Sequence, residues 1–324
     1  MKKVHLAWPV VLVVAALLVG CSRDDVYRWI VDYERDQASL ERSEVTLGEL
    51  SVAYLSNSVE APARTLLMVH GFGGNKDNWV RMAAYLPDGY RMLIPDLPGH
   101  GDSSIGSASD YTVDAQAATL VAFMDELGVD KVDMAGNSMG GGITAYFASR
   151  YPERVRTIAL YDPAGSEKYP SELDQALAEG NNPLVVEKPG DMDRLFNFVM
   201  EEPPFLPWPL TSVMEEKAMA REQVNRTIFD AILASRDGVS LTSVLSDIEA
   251  PTLIIWGKQD RVLAPENAQV FAESIDDAEV RLLDGVGHVP MVEVPARSAQ
   301  LWHDFLQRLP EAEVGASAQS PTTP

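Results

Sequence analysis

Gly136-Asn137-Ser138-Met139-Gly140 fits the pattern G-x-S-x-G and lies between an apolar run and a helical pattern. In that setting the serine sits on a sharp strand-to-helix turn, with small flanking residues that let strand and helix approach and leave the hydroxyl exposed. A serine hydroxyl at its ordinary pKa is a weak nucleophile and needs a base, which in turn needs an acid to orient it. The chain has five histidines: His5, His70, His100, His288 and His303. His5 falls in the N-terminal leader, His100 in a Pro98-Gly99-His100-Gly101 turn, and His303 on the last helical pattern. His70 reads as a structural residue that holds its loop by hydrogen bonds. His288 follows the last strand pattern, in Asp284-Gly285-Val286-Gly287-His288. It also obeys the chain order serine, acid, histidine, and is the expected base.

Two aspartates follow strand patterns at the matching edge, Asp162 and Asp260. Asp260, in the turn Gly257-Lys258-Gln259-Asp260 next to the histidine strand, is the expected acid, and Asp162 is expected to shape the start of an insertion. Asp96 and Asp102 read as turn residues. Backbone N–H groups must hold a developing oxyanion. Met139, at the amino end of a helix, is expected to supply one, and Phe72, in the loop His70-Gly71-Phe72-Gly73-Gly74, to supply the second and to bind substrate together with Phe198, Phe205 and Trp208.

These residues need a scaffold, and the pattern around them predicts one. Thr65–Val69, Arg91–Pro95, Lys131–Ala135 and Thr157–Tyr161 read as buried strands. Helical patterns cover about 112–127 and 139–151. Strands alternating with helices imply right-handed crossovers and a mostly parallel sheet with helices on both faces. The rhythm stops after Asp162 and resumes with Pro251–Trp256, Glu279–Leu283 and a helix over about 296–309. The predicted organisation is an α/β core over 44–164 and 247–310, a helical cap over 165–246 and a disordered tail over 311–324. Within the cap, Phe198, Phe205 and Trp208 belong to a dense apolar, proline-punctuated stretch. It is expected either to line an acyl pocket or meet a membrane, or to form the cap's own packing face.

The chain has 324 residues, is 46% apolar and carries a formal net charge of −22. Such acidity repels nucleic acid and anionic headgroups, so nucleic acid is excluded as a partner. Cys21 is the single cysteine, so no internal disulfide forms. Lys2 and Lys3 precede an apolar run from Leu6 to Gly20, and Leu18-Val19-Gly20-Cys21 resembles the lipobox of bacterial lipoproteins, in which the cysteine is lipidated. A retained transmembrane helix over 1–21 and plain secretion are the competing readings; a span needs about 20 residues. The first two readings put the protein on a membrane of the bacterial envelope, outside the cytoplasm. Residues 22–43, with Val26, Trp29, Ile30 and Tyr33 spaced as on one helix face, form the expected linker helix.

The segments His70–Trp79 (HGFGGNKDNW), Pro95–Ser103 (PDLPGHGDS), Gly136–Gly141 (GNSMGG), Ile254–Asp260 (IIWGKQD) and Gly287-His288 together resemble one branch of the α/β-hydrolase superfamily. That branch holds bacterial lipases of the psychrophilic Moraxella and Psychrobacter type, membrane-anchored phospholipases A and the membrane-bound monoacylglycerol lipase. The resemblance spans roughly 45–310 and is weak in the cap. It implies the α/β-hydrolase fold, a triad on Ser138, Asp260 and His288, lipid ester substrates, and neither metal nor cofactor. Small esters or thioesters, cofactor-free perhydrolysis and a silent binding role on the same fold remain the alternatives.

Overall fold

The computed structural model describes residues 22–166, 168–238 and 241–309. The leader with Cys21 and the tail over 311–324 lie outside the described residues. Helix α1 (Arg23–Gln37) opens with Ser22 and Asp25 in a reciprocal capping box. It buries Val26 and Ile30 but leaves Trp29 and Tyr33 exposed, so only half of the expected apolar face packs inward. The helix ends earlier than the sequence pattern implied. Ser39 takes a φ of 56°, and Glu41 already begins a strand.

Eight strands form one sheet: β1 (Glu41–Leu47), β2 (Leu50–Ser56), β3 (Arg64–Val69), β4 (Tyr90–Pro95), β5 (Val132–Asn137), β6 (Val155–Tyr161), β7 (Thr252–Gly257) and β8 (Ala278–Leu283). Their order is β1-β2-β4-β3-β5-β6-β7-β8. The first two strands make an antiparallel hairpin, β2 meets β4 antiparallel, and every other pairing is parallel. Central strands β5 and β7 are buried along their whole length, as expected of strands covered on both faces.

Helices α2 (Val113–Glu126) and α3 (Met139–Arg150) follow β4 and β5. Between β6 and β7, the described residues form helices and no strand: α4 (Glu172–Ala178), α5 (Asp191–Val199), α6 (Leu210–Ala220), α7 (Glu222–Gly238) and two short turns. Helices α8 (Asn267–Ser274) and α9 (Pro295–Gln307) flank β8. The core divides into two apolar layers, one on each side of the sheet. Leu67, Phe123, Phe147 and Trp256 sit in one, and Leu66, Trp79, Ile255 and Trp302 in the other. Alternating residues of β3, Leu66 and Leu67, serve opposite layers, which is the period-2 geometry of a strand. A third, small cluster joins α1 to the start of α6 through Val26, Ile30, Leu206 and Leu210.

One buried polar knot ties the loops at the carboxyl ends of β3 and β4. Lys76 is 1% exposed, and its Nζ donates at 2.7 Å to both Asp96 and Asp102. The Lys76 ammonium, with Arg42 on the other side, offsets the cost of desolvation and holds the Asp102 carboxyl down at about 2. Asp96 and Asp102 are therefore more than turn formers, because they satisfy a buried cation.

Candidate active site

Strand β5 runs between β3 and β6 and carries Asn137 as its last residue. The next residue, Ser138, has φ 55° and ψ −121°, a left-handed backbone that a non-glycine residue adopts only at a cost. Its own N–H donates to the Tyr161 carbonyl at 3.0 Å, which locks the turn to β6. Helix α3 starts directly at Met139, whose N–H, in the first turn, has no carbonyl partner within the helix. The flanking glycines are sterically required. A Cβ on Gly136 would lie 2.2 Å from the Gly140 carbonyl oxygen, and one on Gly140 would lie 2.4 Å from the carbonyl oxygens of Val69 and His70. Strand β3, the turn and helix α3 are thus in backbone contact, and the Ser138 side chain lines a cavity above them.

His288 lies on the loop after β8 and is 4% exposed. Its Nδ1 is 2.8 Å from Asp260 Oδ2. Asp260 is 7% exposed and accepts three further bonds, from the N–H groups of Val262 (2.8 Å) and Leu263 (3.0 Å) and from the Trp256 indole N–H (3.1 Å). With so many donors the carboxylate is fixed in one orientation, and His288 is held as the Nδ1–H tautomer with Nε2 left as the acceptor. The His288 backbone is pinned as well. Its N–H donates to the Val199 carbonyl at 2.8 Å, and its carbonyl accepts from the Asn137 amide at 3.0 Å. Asn137 also donates to the Tyr161 carbonyl at 3.0 Å, so the residue before Ser138 bolts the histidine loop to the elbow.

Glu293 joins the same loop to the helical segment. Its Oε1 accepts from the Gly287 N–H, and its Oε2 from the N–H groups of Glu201 and Glu202. Burial pushes its carboxyl up, against these backbone bonds that lower it. Asn137 and Glu293 escaped the sequence reading. Asn137 stands at a position the motif leaves free, and Glu293 lies five residues past the histidine.

Phe72 occupies the loop after β3, where the Gly71 backbone presses against Ser138. A Cβ on Gly71 would lie 3.0 Å from Ser138 Cβ. Phe72, Ser138 and Met139 line one cavity of about 900 Å³. Tyr146, Leu173, Leu177, Phe229 and Ile232 supply apolar wall from α3, α4 and α7. The Phe72 ring meets Phe229 edge-on at 5.2 Å, joining the core loop to the helical roof. Of the aromatic residues expected to bind substrate, only Phe72 lines this cavity. Phe198, Phe205 and Trp208 do not line it, and Phe205 and Trp208 are 71% and 52% exposed. Phe205 and Trp208 face outward while Met200 and Leu210 of the same stretch are buried, and apolar wall comes from Phe229 and its helix instead.

Beneath the Phe72 loop, His70 donates from Nδ1 to the Gly71 carbonyl and accepts the Leu97 N–H at Nε2. His100 packs edge-on against it at 4.9 Å. Burial drives both rings towards neutrality, His70 to about 4 and His100 to about 3. His303 lies on α9, bonded to the Tyr90 hydroxyl at 2.9 Å.

Residues 64–200 match the family model described as "alpha/beta hydrolase fold". The chain is similar to Lipase 3 of Moraxella sp. (strain TA144), with 35% identity over 85% of this chain and 88% of that one. It is similar to a monoacylglycerol lipase of Homo sapiens at 28% identity, over 93% of this chain and 92% of that one. Among solved structures it is similar to a membrane phospholipase A described as a bacterial virulence factor, with a TM-score of 0.86 and 39% identity over 95% of this chain and 99% of that one.

The depressed histidines set a pH signature. A histidine whose folded pKa lies below its unfolded value of 6.5 costs stability as pH falls from about 6.5 towards the folded value, because only the unfolded chain takes up the proton there. The stability advantage of the parent over His100→Gln therefore shrinks between pH 7.5 and pH 5, read as the difference in urea midpoint. A difference that stays constant across that range contradicts the buried neutral ring.

Proposed function

The chain belongs to the α/β-hydrolase fold family, and we propose that it is a serine carboxylic ester hydrolase acting on lipid esters through an acyl-enzyme. The observation that carries this reading is the 2.8 Å bond between His288 Nδ1 and Asp260, on a loop that Asn137 ties to the Ser138 elbow. His288 Nε2 takes the proton of the Ser138 hydroxyl, whose oxygen attacks the ester carbonyl carbon. The N–H groups of Phe72 and Met139 receive the oxyanion. His288 then hands the proton to the departing alcohol oxygen, and water, activated by the same imidazole, releases the acid. Asp260 keeps the imidazole in its tautomer and stabilises the cation that forms at each step.

A lipid substrate is supported by the cavity. About 900 Å³ is at the upper end of small-molecule sites. Leucine, isoleucine, valine and aromatic side chains form much of its wall, beside Asp114, Asp174, Asp230 and several hydroxyls. The proteins it is similar to carry lipase and phospholipase names, in keeping with this reading.

The membrane part of the reading rests on the leader and on the helix next to it. Among the described residues, no helix is long and apolar enough to cross a membrane. The sequence pattern of residues 1–21 supports anchoring there, by a lipid on Cys21 in the cell envelope, with a retained helix as the competing reading. Helix α1 begins two residues later. It bears the stacked, exposed pair Trp29 and Tyr33, and it packs on the segment that exposes Phe205 and Trp208. Aromatic residues of this kind suit the headgroup region of a bilayer.

Ser138→Ala lowers kcat/KM on the best ester by about 10⁴-fold or more and leaves the urea midpoint near that of the parent. The parent hydrolyses long-chain monoacylglycerols or lysophospholipids faster than p-nitrophenyl acetate and forms no peracid from acetate and peroxide. A variant with near-normal activity removes the nucleophile assignment, and a preference for acetate esters removes the lipid reading. For the anchor, Cys21→Ser abolishes incorporation of labelled palmitate in cells. Undiminished labelling, or a parent that takes up none, contradicts the lipoprotein reading.

A further inference from the structure

Asp162 is the first residue after β6, and it holds a left-handed φ of 46°. The side chain is wholly buried. Its Oδ1 accepts the Gly257 N–H at 2.8 Å, at the end of the neighbouring strand β7. Its Oδ2 is buried too, and among the described residues no N–H or O–H donor reaches it. One carboxyl oxygen of Asp162, one of Asp260 and one ring nitrogen of His288 lie within 4.8 Å of one another. The charged and titratable groups that bear on Asp162 are Asp260, Glu293, the adjoining Tyr161 and His288.

Two carboxyl groups this close in a dry interior do not both ionise; one keeps a proton and shares it. Asp260 already accepts four hydrogen bonds and is the natural anion of the two. Asp162 has one oxygen that accepts and one without a donor, which is the pattern of a carboxylic acid with its hydrogen on the second oxygen.

We propose that Asp162 is a neutral carboxylic acid that donates a hydrogen bond from Oδ2 to the Asp260 carboxylate, and that it is thereby a positioning residue for the Asp260–His288 pair. Burial above all, then the charge of Asp260, pushes the Asp162 carboxyl well above the usual carboxylate range, which agrees with this geometry. The donated bond draws charge from Asp260 and lowers its pull on the imidazole proton. The inference rests on the proposed role of Asp260 and adds a second aspartate that acts through it.

The test is the pH profile of kcat/KM for Asp162→Ala, Asp162→Asn and Asp260→Asn. Asp162→Ala removes the donor, leaves more charge on Asp260, and moves the acid limb to higher pH by about half a unit or more. Asp162→Asn rescues the parental limb, because its amide N–H replaces the acid O–H and its carbonyl still accepts from Gly257. Asp260→Asn loses about 10³- to 10⁴-fold in rate. If Asp162→Asn falls as far as Asp260→Asn, Asp162 is ionised and the proposal is overturned. If Asp260→Asn stays near normal, the acid assignment itself fails, a distinct outcome. Should Asp162→Ala not fold, infrared spectra decide. The parent at pH 8 shows the C=O stretch of a protonated carboxylic acid that Asp162→Asn lacks, and a parent without that band refutes the neutral acid.

Discussion

The backbone contact between strand β3, the Ser138 turn and helix α3 is the constraint on which the rest of the structure depends. Gly136 and Gly140 have no room for even a methyl group, because the carbonyls of Gly140, Val69 and His70 already occupy the space. Bringing three elements that close forces the chain through a left-handed residue at position 138. The cost, of order 1–3 kcal/mol for such a backbone, is borne by burial of the two layers around the sheet. In exchange, the serine stands at the amino end of a helix and against the Gly71 backbone, with the wall of a large cavity in front of it.

The second half of the site is held by hydrogen bonds rather than by packing. The histidine loop is pinned from three sides: by Asn137 from the elbow, by Asp260 from the neighbouring loop, and by the Val199 carbonyl from the helical segment. Glu293 adds a fourth tie, bridging that loop to the N–H groups of Glu201 and Glu202. The roof of the cavity is therefore not independent of the histidine. Phe229 touches the Phe72 loop, while the end of α5 bonds the His288 backbone, so the roof is tied to both loops.

Much of this was legible in the sequence. Strand β5, the elbow and α3 announce themselves because a buried apolar run, a glycine-flanked serine and a helical face follow each other within twenty residues. Strands β6 and β7 are equally plain, since they are almost wholly buried and mostly apolar, whereas β8, at the sheet edge, mixes Glu279 and Arg281 with apolar residues. The β1–β2 hairpin is not, because Glu41, Arg42, Ser43 and Glu44 are polar and the strand lies at the edge of the sheet. The outward turn of Phe205 and Trp208 is not legible either. A dense apolar run looks alike whether it faces a pocket or the outside, and here α1 takes up Leu206 and Leu210 on one side while the aromatic residues stay exposed. The proximity of Asp162 to Asp260 arises from two strands that are adjacent in space but separated in sequence by the whole helical segment.

The central claim is that a hydroxyl on the elbow is activated by the buried imidazole–carboxylate pair. A fluorophosphonate probe tests it most directly, because it reacts covalently only with an activated serine. Peptide mass mapping after labelling should find one adduct, on Ser138, and none in His288→Ala at the same dose. An adduct on another residue, no adduct in the folded parent, or undiminished labelling without the imidazole would contradict the account.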